Sequence, residues 1–369
     1  MAPTQRFLAL DVFRGMTICF MIIVNTPGNG ATTFAPLLHA NWHGFTPTDL
    51  VFPSFMFAVG NALSFVMLKW AGLPQSKVVW KILKRTLLIF LLGYLMYWFP
   101  FFRLDHNNNI VAAPFEETRV LGVLQRIALA YGAAALMIYF LKPRWVLIIT
   151  ILILIAYKFM LTAYGDLTLE GNAVLKLDKY LMGDKHLYHG EGIAFDPEGW
   201  LSTLPSIGNV VLGYFAGKYI QLKGKTYETL THLLLAGAAM MAFAYFWDSS
   251  FPINKKLWTS SFVLYTVGLD CIILATIIYI IDFRHWSRWT NFFEVFGKNP
   301  LFIYLLSEIG VIILFMIPIG KMPLFRWVYV NIYSHFGPYL GSFLFAVSWM
   351  LICWLVGYWL DKRKIYVRV

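Results

Sequence analysis

Long apolar segments, each followed by a short polar connection, recur along the whole chain. A helix rises 1.5 Å per residue, so about 20 apolar residues cross the roughly 30 Å hydrocarbon layer of a bilayer. The pattern predicts ten such helices, over residues 7–25, 48–70, 80–99, 119–141, 144–163, 200–220, 229–248, 258–281, 297–318 and 338–360. The longest connection covers residues 164–199, and a shorter polar stretch ahead of the second helix carries His39 and His43. Asp11 and Arg14 interrupt the first apolar run and no small-residue cleavage site follows it, so it reads as a retained helix and not a secretory signal.

Composition supports this reading. With 59% hydrophobic and 13% charged residues, and a mean hydropathy of +0.65, the chain does not pack as a soluble globule of 369 residues. The expected architecture is all-α: a polytopic membrane protein of about ten transmembrane helices, forming one transmembrane domain over 1–369. Basic residues flank spans on the cytoplasmic side. The cluster Lys69, Lys77, Lys81, Lys84 and Arg85, together with Arg6, Lys142, Arg144, Lys218, Arg284, Arg288, Lys362, Arg363 and Arg368, then places both termini in the cytoplasm. His39 and the 164–199 loop fall on the opposite side. The net charge of +11 thus becomes basic surface facing anionic lipid head groups and does not indicate nucleic acid. Cys19, Cys271 and Cys353 lie inside spans with no metal-ligand spacing, and no metal site is expected.

The chemistry is expected among the ionisable residues within or at the ends of spans, where an unpaired charge is costly. These are Asp11, Arg14, Asp49, Arg126, Lys158, Asp270, Lys298 and Glu308. Asp11 and Arg14 are three apart, share a helix face and can neutralise each other. The guanidinium of Arg126 suits a phosphate or carboxylate. Lys298 and Asn299 precede Pro300 at a helix start, a position suited to an anion. Asn25 opens the helix-breaking string Asn25-Thr26-Pro27-Gly28-Asn29-Gly30, at a depth similar to that of His39. Asn25, His43 and Asp49 are near enough in sequence to orient or charge the His39 imidazole.

Several strings, in order, resemble the heparan-α-glucosaminide N-acetyltransferase family of transmembrane acetyltransferases. They are Leu10-Asp11-Val12-Phe13-Arg14-Gly15, Val24-Asn25 with its Gly-rich turn, His39-Ala40-Asn41-Trp42-His43-Gly44, Asp49-Leu50-Val51-Phe52-Pro53 and Gly122-Val123-Leu124-Gln125-Arg126. Further on, Gly183-Asp184-Lys185-His186-Leu187-Tyr188, Asp196-Pro197-Glu198-Gly199 and Asn254-Lys255-Lys256-Leu257-Trp258 continue the likeness. The resemblance implies transfer of acetyl from cytosolic acetyl-CoA to an amino sugar across the membrane, and a homodimer. It marks His39 as the catalytic histidine, acting as general base or transient acetyl carrier, with Asn25 as its partner. Asp49 would orient it. Lys84, Arg85, Lys298, Asn299, Arg14 and Arg126 are expected along the path of CoA.

On the outer side Asp184, His186, Asp196, Glu198, His43, Lys255 and Trp258 are expected to meet the sugar. The chain starts six residues before its first helix motif, and His43 departs from the family string. The former suggests a bacterial-type member in the inner membrane, with the active-site loop in the periplasm. Two other classes share part of this pattern. A secondary transporter of a sugar or organic anion also has buried charges and broken helices, but no internal repeat is evident. A membrane O-acyltransferase would modify glycan hydroxyls instead of an amine.

Overall fold

The computed structural model describes residues 7–104 and 110–367. Arg6 and Arg368, counted above for orientation, lie outside the described residues. Thirteen helices are present among the described residues. They are α1 (Leu8–Asn25), α2 (Pro47–Trp70), α3 (Gln75–Trp98), α4 (Val123–Phe140), α5 (Pro143–Tyr164), α6 (Ala173–Met182) and α7 (Trp200–Lys223). After these come α8 (Tyr227–Asp248), α9 (Ser260–Ile278), α10 (Thr290–Lys298), α11 (Pro300–Met316), α12 (Leu324–Val328) and α13 (Pro338–Lys362). Among the described residues, sheet is confined to two small antiparallel pairs, β1 (Phe102–Leu104) with β2 (Ile110–Ala112) and β3 (Pro318–Ile319) with β4 (Met322–Pro323). The protein is an all-α polytopic membrane protein.

Each of the ten expected spans coincides with a helix. Seven are long and apolar enough to cross a bilayer: α1, α2, α4, α5, α8, α9 with its extension to Phe283, and α13. α10 and α11 are apolar enough to cross a bilayer only together, and are bent by 83° at Asn299, as in a broken span or a re-entrant loop. Pro300 accounts for the break, because it supplies no N–H to continue the first helix and is suited to start the second. α3 and α7 have 24 residues each but are more polar. In α3 the polarity comes from Lys77, Lys81, Lys84 and Arg85; in α7 it comes from Ser202, Ser206 and Asn209, all fully buried.

The chain forms two compact units. The first comprises residues 7–40, 46–55 and 273–367. There α1 packs along α10 so closely that a methyl group on Gly15 would overlap the Phe293 carbonyl, and one on Gly297 the Asp11 carbonyl. Small residues that let backbones touch are the usual means of packing helices where lipid removes the hydrophobic drive. Phe325, Tyr329 and Phe345 form a further apolar core in this unit.

The second unit comprises residues 41–45 and 56–272. Tyr157, Leu161, Val174, Phe195, Phe251 and Leu257 build one core, beneath the connection between α5 and α7. That connection is therefore a packed structure, with α6 as its own helix. Leu63, Val78, Ile82 and Tyr131 build another core.

Candidate active site

In the first unit, α2 begins at Thr46-Pro47-Thr48-Asp49. Asp49 Oδ2 accepts from the Thr46 N–H at 3.0 Å and the Thr46 hydroxyl at 3.1 Å. This is the carboxylate half of a capping box, with aspartate in the usual glutamate position and proline in the first turn. The Ala40 N–H donates to the same oxygen at 3.1 Å. Oδ1 lies 2.7 Å from Nδ1 of His39. A carboxylate surrounded by donors at a helix N-terminus is held as an acceptor, so the Nδ1 proton points to Asp49 and Nε2 becomes the nitrogen able to take a proton. Asp49 is 1% exposed and His39 46% exposed. A buried anion thus fixes an imidazole whose ring reaches outward.

Asn25, the last residue of α1, is exposed, and its Nδ2 donates to Oε1 of Glu308 in α11 at 3.2 Å. Arg14 pairs with Asp11 at 3.1 Å and donates to the Gly297 carbonyl. Lys298 sits 2.7 Å from Asp361 and near Glu294. Asn299 is fully buried and holds the C-terminal backbone with both ends of its amide, donating to the Ile365 carbonyl at 3.0 Å and accepting from the Val367 N–H at 2.8 Å. These two residues, expected to face CoA phosphates, are engaged by the chain's own C-terminal segment.

In the second unit, residues 41–45 are tied down on several sides. The Trp42 indole donates to the Leu167 carbonyl at 2.7 Å, the Gly44 N–H to the Ile253 carbonyl at 2.8 Å, and Lys256 to the Asn41 carbonyl at 2.9 Å. His43 Nδ1 lies 3.3 Å from the Asn254 amide. Burial lowers the His43 pKa against the opposing Asp248 charge.

Asp196-Pro197-Glu198-Gly199, expected to meet a sugar, instead binds two arginines. Arg119 donates to both oxygens of Asp196 at 2.8 and 2.7 Å and to Glu198 at 2.6 Å, between the rings of Tyr97 and Tyr188. Burial opposes the charge on Arg119, but Tyr97, Asp196 and Glu198 outweigh it and hold its pKa well above the ordinary value. Burial likewise opposes ionisation of Glu198, yet Arg119, Arg126 and Lys255 together pull its pKa down. Asp196 is fully buried with both oxygens on Arg119, because a carboxylate out of water needs a matched fork of donors.

Arg126 is also fully buried. It donates to the Pro197 carbonyl at 2.9 Å and to Ser202, and its guanidinium lies over Trp258 at 4.7 Å. Trp258, expected to meet the sugar, is 1% exposed and donates to Asn209 at 3.0 Å. Its ring face is covered by Arg126, which corrects the surface reading. Lys255 is half-buried and contributes charge near Glu198. His186 Nδ1 lies 2.8 Å from the Thr118 carbonyl; Asp184 is exposed and pairs loosely with Lys179 at 3.3 Å. Lys84 is exposed on α3, and Arg85 lies over Tyr131 at 4.8 Å. Among the described residues no group of three His, Cys, Asp or Glu is placed to hold a metal.

Arg119, Tyr97, Tyr188, Ser202 and Asp178 were not singled out from sequence. Only the Thr46-to-Asp49 capping spacing carried a local signal, and it foretells the carboxylate's placement at the helix start. The partners of Arg119 lie 77 and 79 residues away.

Comparison with known proteins agrees with this arrangement of strings. The heparan-alpha-glucosaminide N-acetyltransferase catalytic family model matches residues 6–244. The chain is 27% identical over 429 aligned positions to the heparan-alpha-glucosaminide N-acetyltransferase of Mus musculus, and 27% over 428 to that of Homo sapiens. Both alignments take in 100% of this chain but 61% and 60% of the relatives, so it spans about three-fifths of their length. With most of its length matched, from α1 into α8, the chain belongs to the heparan-alpha-glucosaminide N-acetyltransferase catalytic family.

Proposed function

We propose that this protein transfers the acetyl group of acetyl-CoA to the amino group of a glucosamine-type sugar, with His39 as the base. The observation that carries the reading is the His39–Asp49 pair, an outward-reaching imidazole on a buried carboxylate, in a chain of this family. The amine nitrogen attacks the thioester carbonyl carbon, and the carbonyl oxygen takes up negative charge. Nε2 of His39 accepts the proton that the nitrogen loses as the C–N bond forms. Asp49 stabilises the resulting imidazolium and fixes its tautomer. An N–H of Asn25 donates to the developing oxyanion. Collapse breaks the C–S bond, and the imidazolium returns the proton to the departing CoA thiolate.

In this reading CoA enters from the cytosol and the sugar from the opposite side of the membrane, as the basic clusters around α3 and after α13 support. Lys84 and Arg85 remain the residues best suited to its phosphates, Lys84 being exposed. The working unit is taken as a homodimer. A transporter would also carry a broken helix, but the break at Asn299 is closed by the C-terminal segment. The test is incubation of detergent-purified protein with acetyl-labelled acetyl-CoA and glucosamine. The expected product is an N-acetyl sugar stable to hydroxylamine. A hydroxylamine-labile product would make the enzyme an O-acetyltransferase, and no product with any amino sugar would overturn the reading.

A further inference from the structure

Glu308 is the one charged residue in α11, whose sequence is otherwise apolar apart from Tyr304 and Ser307. A carboxyl group in a membrane helix costs several kcal/mol unless something offsets it. Folding alone gives it little reason to be there, since an apolar residue would serve the packing of α11 on α1 and α13. No arginine or lysine pairs with it among the described residues. Its hydrogen-bond partner is the side-chain amide of Asn25, at 3.2 Å and 283 residues away.

We propose that Glu308 is a positioning residue that fixes the orientation of the Asn25 amide for acetyl transfer. An asparagine amide at a helix end can turn over and exchange its N–H and C=O faces at small cost. Asn25 donates from Nδ2 to Oε1 of Glu308, so the carboxyl group holds the NH2 face of the amide. One N–H is then held by Glu308, and the second stays on the same nitrogen, in a fixed direction, as a donor for the oxyanion. Preorganised donors act in catalysis because they need not turn at the moment charge develops. Asn25 is exposed, so a hydrogen bond is the natural anchor for its amide.

This inference rests on the acetyl-transfer reading above, and a double-mutant cycle separates the two. Glu308→Ala, Glu308→Gln, Asn25→Ala and Asn25→Ala/Glu308→Ala are compared with wild type for kcat, for KM of acetyl-CoA and for thermal midpoint in detergent. Glu308→Ala is expected to lower kcat roughly ten- to a hundredfold with KM unchanged, as a misaimed donor does. Glu308→Gln keeps an acceptor but also offers a donor, so it permits both amide orientations and falls between Glu308→Ala and wild type. On the Asn25→Ala background, removing Glu308 is expected to have no further effect on kcat, because the residue it positions is gone.

A kcat unchanged in Glu308→Ala, or a loss repeated in full on the Asn25→Ala background, overturns the proposal. If Glu308→Ala fails to purify as a folded protein, the same cycle is run with Glu308→Gln, and an equal loss with and without Asn25 overturns it. Wild-type protein without acetyl transfer would sink the function itself. An active wild type with a disabled Asn25→Ala and a fully active Glu308→Ala would sink only the role of Glu308.

Discussion

Two buried carboxylates, Asp49 and Asp196, each lie near a helix start and differ in what they hold. Each has a basic partner. Asp196 meets Arg119, which is 16% exposed, shared with Glu198 and covered by two aromatic rings. Asp49 meets His39, whose ring is 46% exposed. In the first case the partner is largely enclosed as well, and its charge is permanent; the arrangement fastens the connection between α5 and α7. In the second the partner is an imidazole, a group that can take up and give back a proton, and it reaches outward. The difference between a fastening and a candidate active site lies in the exposure and chemistry of the partner, and hardly at all in the carboxylate.

The comparison predicts opposite responses to losing the partner. The largest effect expected on chemistry is that of His39→Ala, which should lower kcat roughly 10²- to 10⁴-fold as loss of a general base does, with the thermal midpoint unchanged. Arg119→Ala should instead cost about 3–5 kcal/mol of stability by leaving the buried Asp196 without the donors that hold both its oxygens. Thermal unfolding in detergent would read this directly, and an undiminished midpoint would refute the fastening role. Asp49→Asn should show both kinds of response on a smaller scale. It turns an acceptor into a mixed donor and acceptor, so kcat is expected to fall roughly a hundredfold, and loss of the capping box to cost about 1 kcal/mol.

A subtler test uses Asp178 in α6, fully buried, whose Oδ1 accepts from the Trp200 N–H at 2.9 Å. Burial, with Asp196 adding to it, raises its pKa to about 7 against the pull of the Trp200 N–H and of Arg126. Tyr157 also faces this group. In the unfolded chain the carboxyl ionises near 3.8, so between about 4 and about 7 the folded state holds a proton that the unfolded state has lost. Its contribution to stability is full below that window and falls as pH rises through it. Asp178→Asn should flatten the slope of thermal midpoint against pH over that range; a slope unchanged by the substitution would assign the dependence elsewhere.

How much of this was legible in the sequence follows from the range of each signal. Apolar runs are local, and each of the ten marked a helix; what they hid was the bend at Asn299, although Pro300 carried it. The Thr46-to-Asp49 spacing is local too, and it puts the carboxylate where His39, ten residues earlier, can meet it. Arg119 and Glu308 were invisible as partners. A lone arginine before a helix reads as a topology signal, and nothing near Glu308 in the chain points to Asn25. Trp258 misled for the related reason that an aromatic residue at a span end usually anchors at the interface. Here Arg126 covers it, from 132 positions earlier in the chain.

The central claim is tested most directly by measuring acetyl transfer and acetyl-CoA affinity side by side in wild type and His39→Ala. The account predicts equal acetyl-CoA affinity in both proteins, with N-acetylation of glucosamine by wild type and almost none by the variant. Transfer undiminished in His39→Ala would contradict it.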